Sequence, residues 1–303
     1  MGKKKRGIFF HIPKTGGMTL YDIIEREYSE DERFKIAPND IEGSARRFVQ
    51  SSNNNDIRIV YGHMNFGLHR GFQDSVKYFT ILRDPVKRII SVYNYAKEEK
   101  YHHLNKYIKE NKISLSDFIE STKRVQFNNA MVRSISGIGG KYKFNEGGSE
   151  LRDIAVNNIE NFFIITGFID YYDEVLVLLK NHFNWSVPFY IKKNVTKNKP
   201  DIENRDEVNE IIGSYNKLDV ELYDLCRVRF LEKIEMLGQN FQDEVRAFKT
   251  LNNIYQDYFR KNNKGFSSDF SNDIRNKINL LNEKGEKGVA DYCSAYLDEL
   301  MDQ

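Results

Sequence analysis

Two periodicities alternate along the first two thirds of this chain. Short apolar runs rich in β-branched and aromatic residues, at 8–12, 57–61, 78–82 and 162–167, read as strands buried on both faces, and 34–37 as a further short one. Between them the period lengthens: in 18–28, Leu20, Ile23, Ile24 and Tyr28 fall on one helical face, and 40–51, 151–161 and 175–183 also read as helices. Asp84 before Pro85 marks another helix start, because an Asp side chain caps free amides and Pro suits the first helical position, so 85–98 follows as helix. This alternation predicts an α/β fold, a phosphate-loop-like and mostly parallel sheet of about four or five strands flanked by helices.

The segment 102–133 reads as several helices, and 137–148, with five glycines, as a mobile loop. Residues 191–204 form a polar loop whose Lys192, Lys193, Lys197 and Lys199 either meet an anionic ligand or face solvent. Residues 208–236 are helical with a turn near Gly213. Past Gly238 the chain is helical and charged without strand signals, broken at 261–268. The expected division is a main domain at 1–237 and a helical C-terminal extension at 238–303, open to roles as lid, docking segment or oligomer contact.

Composition narrows the classes. At 303 residues with 40% hydrophobic side chains the chain can bury a large core. Forty-six basic against 44 acidic residues leave a net charge of +2, so no global field draws it to nucleic acid, and any anion site is local. Cys226 and Cys293 are too few for a disulfide framework, lack metal-ligand spacing and read as ordinary thiols of a reducing compartment. No convincing metal cluster is present, and none is expected. No stretch approaches the roughly 18 to 20 apolar residues that span a bilayer. The basic start is followed by an apolar run broken at once by His11, Pro13 and Lys14, unlike a signal peptide, and a cytoplasmic location is expected.

The strongest local chemistry is the run His11-Ile12-Pro13-Lys14-Thr15-Gly16-Gly17-Met18-Thr19, a strand end, a glycine turn and a helix start. Such a turn aims backbone amides at one spot where the helix dipole also favours negative charge. Lys14 adds a cation at its rim, and Thr15 and Thr19 add hydroxyl donors suited to phosphate oxygens. Against this stands a plain strand-to-helix connection that holds nothing. The usual ATP and GTP loop places Lys directly before Ser or Thr after the glycines, whereas Lys14 precedes them.

The second feature is Arg83-Asp84-Pro85-Val86-Lys87-Arg88-Ile89-Ile90-Ser91-Val92-Tyr93. Arg83 ends a strand, at the edge where open α/β sheets bind ligands. Ser91 lies between one and two turns into the next helix. An anion there meets both side chains, unless Arg83 pairs with a carboxylate and Ser91 is packed.

Together the two segments resemble the nucleotide-binding signatures of carbohydrate sulfotransferases that use 3′-phosphoadenosine 5′-phosphosulfate, in a form similar to the heparan and dermatan sulfate 2-O-sulfotransferases. The resemblance covers roughly residues 7 to 237. It implies that Lys14, Thr15, Gly16, Gly17, Met18 and Thr19 hold the 5′-phosphosulfate and that Arg83 and Ser91 hold the 3′-phosphate, with adenosine 3′,5′-bisphosphate as product. His63, in Tyr61-Gly62-His63-Met64 after the third strand, matches the context of the catalytic base in that branch. A neutral imidazole suits removal of an acceptor proton, and a fixed ammonium at Lys14 suits charge developing on the leaving phosphate. His69 is the reserve base, and His11 reads as packed within its strand. Arg133 stands either near the acceptor or at a solvated helix end. The expected reaction is sulfuryl transfer to a hydroxyl, on a saccharide or glycoconjugate, without metal. The alternatives are a nucleotide kinase and a non-catalytic nucleotide- or glycan-binding protein.

Overall fold

The computed structural model describes residues 5–51, 54–100, 102, 104–192, 205–262 and 268–301. Five strands, β1 (Gly7–Phe10), β2 (Arg33–Lys35), β3 (Ile59–Gly62), β4 (Lys77–Leu82) and β5 (Phe163–Phe168), form one sheet in the order β2-β3-β1-β4-β5. Every pairing is parallel, with Ile8 of β1 opposite Val60 on one side and Tyr78 on the other. The residues of β1 and β3 are buried without exception, as expected where helices cover both faces.

The helices are α1 (Gly17–Glu27), α2 (Ile41–Gln50), α3 (Pro85–Glu98), α4 (Asn105–Glu110), α5 (Leu115–Thr122), α6 (Ala130–Ser136), α7 (Ser149–Phe162), α8 (Tyr172–Phe183), α9 (Arg205–Tyr215), α10 (Lys217–Met236), α11 (Gly238–Asn262), α12 (Ser268–Glu283) and α13 (Lys287–Met301). Asp84 caps α3 by accepting from the Lys87 amide at 2.8 Å, with Pro85 in the first turn, so this carboxylate is engaged in the helix start. Asp40 and Ser114 cap α2 and α5 in the same way.

The main core surrounds the sheet. Phe9, Phe79, Phe183 and Trp185 pack in series with ring centroids 5.1 to 5.4 Å apart. Phe241, Val245, Phe248 and Leu251 of α11, Phe270 and Ile274 of α12 and Val289 and Cys293 of α13 belong to this same core. The helices past Gly238 therefore join this core, α11 packing on α8 and α12 and α13 packing on α11. A smaller core lies among α3, α4, α5 and α9, built on Ile89, Phe118, Phe127 and Ile212.

Three local expectations change. The break near Gly213 falls instead at Asn216, whose buried side chain donates to Phe127 and Ile212 carbonyls and accepts from the Asn129 amide. Arg133 does not end a solvated helix. It is buried, and its guanidinium donates to the carbonyls of Asn128, Gly139, Tyr142, Lys143 and Glu146 at 2.7 to 2.9 Å and to the Asn128 side chain. The glycine-rich segment after α6, expected to be mobile, is thus wrapped around one cation. Of the basic loop, Lys192 is exposed, while Lys193, Lys197 and Lys199 lie outside the described residues. Cys226 and Cys293 are free and buried, and burial pushes both thiols up to about 12.

Candidate active site

The strand order fixes where a ligand can sit. After β1 the chain turns toward β3 and β2, and after β4 it turns toward β5, so the carboxyl ends of β1 and β4 meet at a topological switch point. The two segments singled out in the sequence leave the sheet there, side by side. They touch: Arg83 Nη1 donates to the carbonyl of Lys14 at 3.1 Å.

The turn after β1 is bent by two left-handed residues, Lys14 (φ 70) and Gly16 (φ 88). A lysine in that region costs about 1–3 kcal/mol, and such outliers gather at functional sites. Gly16 precedes α1 without a side-chain cap, and no acidic residue lies in the first turn of that helix. The amides at this helix start, beside the switch point, therefore lack a side-chain cap. Gly17 is required by close approach, since a Cβ there would lie 2.2 Å from the His11 ring. Met18 is exposed at the rim.

Both cations of the crevice are half-buried, and burial pulls each below its ordinary value. Arg83 lowers Lys14 further, while Glu98 opposes. Asp170 and Asp84 partly offset the shift of Arg83. The Lys14 ammonium rests over the Tyr95 ring, 4.0 Å from its centroid. Tyr95 and Ser91 are four residues apart on α3 and share a face, so Ser91, half-buried, turns the same way as Tyr95. Tyr95 was not among the residues singled out in the sequence, although that spacing was there to be read.

The two hydroxyls expected to face an anion are engaged elsewhere. Buried Thr15 donates to the Ile12 carbonyl at 2.8 Å. Thr19 is hydrogen-bonded to the hydroxyl of Tyr172, which donates to the Gly16 carbonyl at 3.3 Å. With Thr15 and Thr19 engaged, the donors this turn still offers are its amides and the Lys14 ammonium.

His63 follows directly from β3 on the same edge. Its Nδ1 lies 3.0 Å from the His11 carbonyl, which only accepts, so Nδ1 carries the proton and the Nε2 lone pair is free to take another. Burial lowers the His63 pKa below 6.5, opposed by that backbone bond. The His63 and His11 rings stack at 4.4 Å. His11 is buried between Phe9 and His63, bonded to the Tyr21 hydroxyl at 2.8 Å, and held neutral by burial and by the charges of His63 and Lys14. His69 sits elsewhere. Its ring packs on Phe66 and Phe162 and bonds the hydroxyl of Tyr78, near the amino ends of β4 and β5, which removes it as the reserve base.

Beneath the second segment, buried Arg88 faces buried Asp219 of α10 at 4.0 Å and donates to the Gln126 carbonyl. Asp219 also caps α6, accepting from the Met131 and Val132 amides at 3.1 and 2.8 Å. Burial raises the Asp219 pKa, against the pull of Arg88 and those two amides. No local pattern reveals this partner, which lies 131 residues from Arg88 in the chain.

Residues 3–261 match the sequence profile of the galactose-3-O-sulfotransferase family. The match agrees with the resemblance to carbohydrate sulfotransferases and names a branch other than the 2-O-sulfotransferases. Among solved structures, that of mouse sulfotransferase SULT7A1 complexed with PAP aligns at 13% identity over 71% of this chain and 86% of that one, with a TM-score of 0.30. No curated protein matches this chain. The family match overturns the expected cytoplasmic location, because galactose-3-O-sulfotransferases are Golgi membrane-type enzymes. Among the described residues no helix is long and apolar enough to cross a membrane, which assigns no compartment.

Proposed function

Starting from a chain that belongs to the galactose-3-O-sulfotransferase family, we propose that it moves a sulfuryl group from 3′-phosphoadenosine 5′-phosphosulfate to a saccharide hydroxyl, the 3-hydroxyl of galactose being the one the family description names. The observation that carries the reading is the pairing of two desolvated cations, Lys14 and Arg83, beside an uncapped helix start at the switch point. Two like charges held close at a partly buried site are relieved by a bound anion. The donor fits that demand at both of its ends. Lys14 and the amides of Gly16, Gly17 and Met18 would hold the 5′-phosphosulfate, and Arg83 with Ser91 the 3′-phosphate.

When bound, the donor supplies the sulfuryl group and a phosphate leaving group. His63 takes the acceptor proton on Nε2, its other nitrogen being held by the His11 carbonyl. Lys14 leaves its resting place on Tyr95 and meets the negative charge that grows on the bridging oxygen as the S–O bond breaks. Its lowered pKa reflects burial without a full counter-charge, and an anion in the cradle raises it again.

The test is a calorimetric titration with adenosine 3′,5′-bisphosphate in EDTA, with magnesium ATP as parallel ligand. Metal-free binding, weakened at least about tenfold by Arg83→Ala as for loss of a charged hydrogen bond, is the expected result. No binding of the bisphosphate, or preference for magnesium ATP, would overturn the donor assignment.

A further inference from the structure

We propose that Tyr172 is a positioning residue of the donor cradle, through which the segment 185–190 and α11 hold the turn from Gly16 to Thr19 in its anion-binding shape. The proposal deepens the donor reading above and rests on it.

A turn with two adjacent glycines has the largest backbone freedom a chain can offer, so amides that are to converge on an anion need an outside restraint. Tyr172, at the start of α8, supplies one on both sides of those amides. Its hydroxyl donates to the Gly16 carbonyl at 3.3 Å and is bonded by the Thr19 hydroxyl. The amides of Gly17 and Met18 lie between these two attachments. Its ring, with Ile169, also walls the turn, since a Cβ on Gly16 would meet them at 3.5 and 3.3 Å.

Tyr172 is itself held from outside the sheet. Its ring packs edge-on against Tyr190 at 5.2 Å. The Tyr190 hydroxyl donates to Asp173 at 2.9 Å, and the Tyr190 amide to the side-chain oxygen of buried Asn252 on α11, also at 2.9 Å. One turn earlier on α11, Lys249 bonds Glu174 of α8 at 2.6 Å. Two side chains of α11 thus grip the first turn of α8 and the segment leading to Tyr190. That segment is tied back to α1, because Arg26 donates to the Phe189 carbonyl at 3.1 Å and the Ser186 amide donates to Glu27 at 3.1 Å. The path runs from a helix past Gly238 to the two residues that shape the cradle, and it accounts for Thr19 facing Tyr172 rather than the crevice.

Tyr172→Phe in the full chain removes one oxygen and leaves the ring packing. Amide hydrogen exchange in the ligand-free protein reads the cradle without reference to any ligand. Exchange at Leu20 and Tyr21, whose amides close the first turn of α1 on the carbonyls of Gly16 and Gly17, is expected to quicken about five- to tenfold, the scale of one lost hydrogen bond, with α13 unchanged. Binding of adenosine 3′,5′-bisphosphate should weaken by a similar factor, and kcat at saturating donor should stay within about twofold, a split that a merely destabilised protein does not give. Asn252→Ala should move the same amides in the same direction, by less. Unchanged exchange at these amides in Tyr172→Phe would overturn the proposal whatever the binding result. Quickened exchange in a protein that binds no bisphosphate even as wild type supports the restraint and overturns the donor reading.

Discussion

His63 and His11 lie 52 residues apart in the chain yet stack ring on ring, and their surroundings set them apart. His63 leaves β3 through Gly62, whose φ of 143 belongs to glycine and turns the chain out of the sheet. One ring nitrogen is then fixed by the His11 carbonyl, and the other remains available. His11, the next ring in the stack, has the same chemistry and is buried. For His63→Ala the expected loss in sulfation is at least about a hundredfold, with bisphosphate affinity little changed, as for removal of a general base. Because burial lowers the His63 pKa, the base stays neutral as pH falls to 6.5, and the acid limb of kcat/KM is expected to turn below that value. Stability follows the same sign. The folded chain keeps His11 and His63 unprotonated where the unfolded chain takes up protons, so melting temperature should drop as pH falls from 7 through 6.5 toward 5, and by less in His11→Phe.

At the scale of elements, α6 and α10 are locked end to end by groups that no local propensity anticipates. Asp219 caps α6 while facing Arg88 of α3, the Asn216 side chain accepts from the Asn129 amide, and the Asn129 side chain accepts from the Asp219 amide. Asp219→Ala leaves Arg88 buried without its counter-charge and α6 without its cap. The expected loss is about 3–5 kcal/mol in urea unfolding, the range for breaking a buried pair. A loss under about 1 kcal/mol would mean that Arg88 finds another partner. Arg133 plays a parallel part for the segment 137–148, and Arg133→Met should quicken amide exchange throughout that segment while leaving bisphosphate binding in place. All of its guanidinium nitrogens already donate to Asn128 and to carbonyls of this segment, so its charge serves to hold the segment in place.

For the whole molecule, the helices past Gly238 raise the largest energetic question. Phe241, Val245, Phe248 and Leu251 of α11 are buried in the core that contains the sheet. Burying such side chains is worth about 1.5–3 kcal/mol each, so four of them together match the net stability of a typical domain, about 5–15 kcal/mol. A chain ending at residue 237 is therefore expected to be recovered unfolded or aggregated, judged by lost near-ultraviolet circular dichroism. A folded, bisphosphate-binding truncation would show that α11 contributes nothing essential to core or cradle. The family match points the same way, since it continues to residue 261, past the start of α11.

The sequence by itself determined the alternation of strands and helices, the parallel sheet, the cap of α3, and the two segments proposed to hold the donor. These are written in short-range periods and in spacings of three or four residues, which act before any tertiary contact forms. Tertiary structure alone decided which side chains face the crevice. Thr15 and Thr19 carry donors suited to an anion, yet both are engaged with neighbours brought by the fold, Ile12 across the turn and Tyr172 from α8. Arg133 looked like a free cation because its acceptors are backbone carbonyls, which leave no mark in a sequence. Arg88, Asp219 and Asn252 act across separations of 60 residues or more, where pairing depends on the packing of whole helices and not on local pattern.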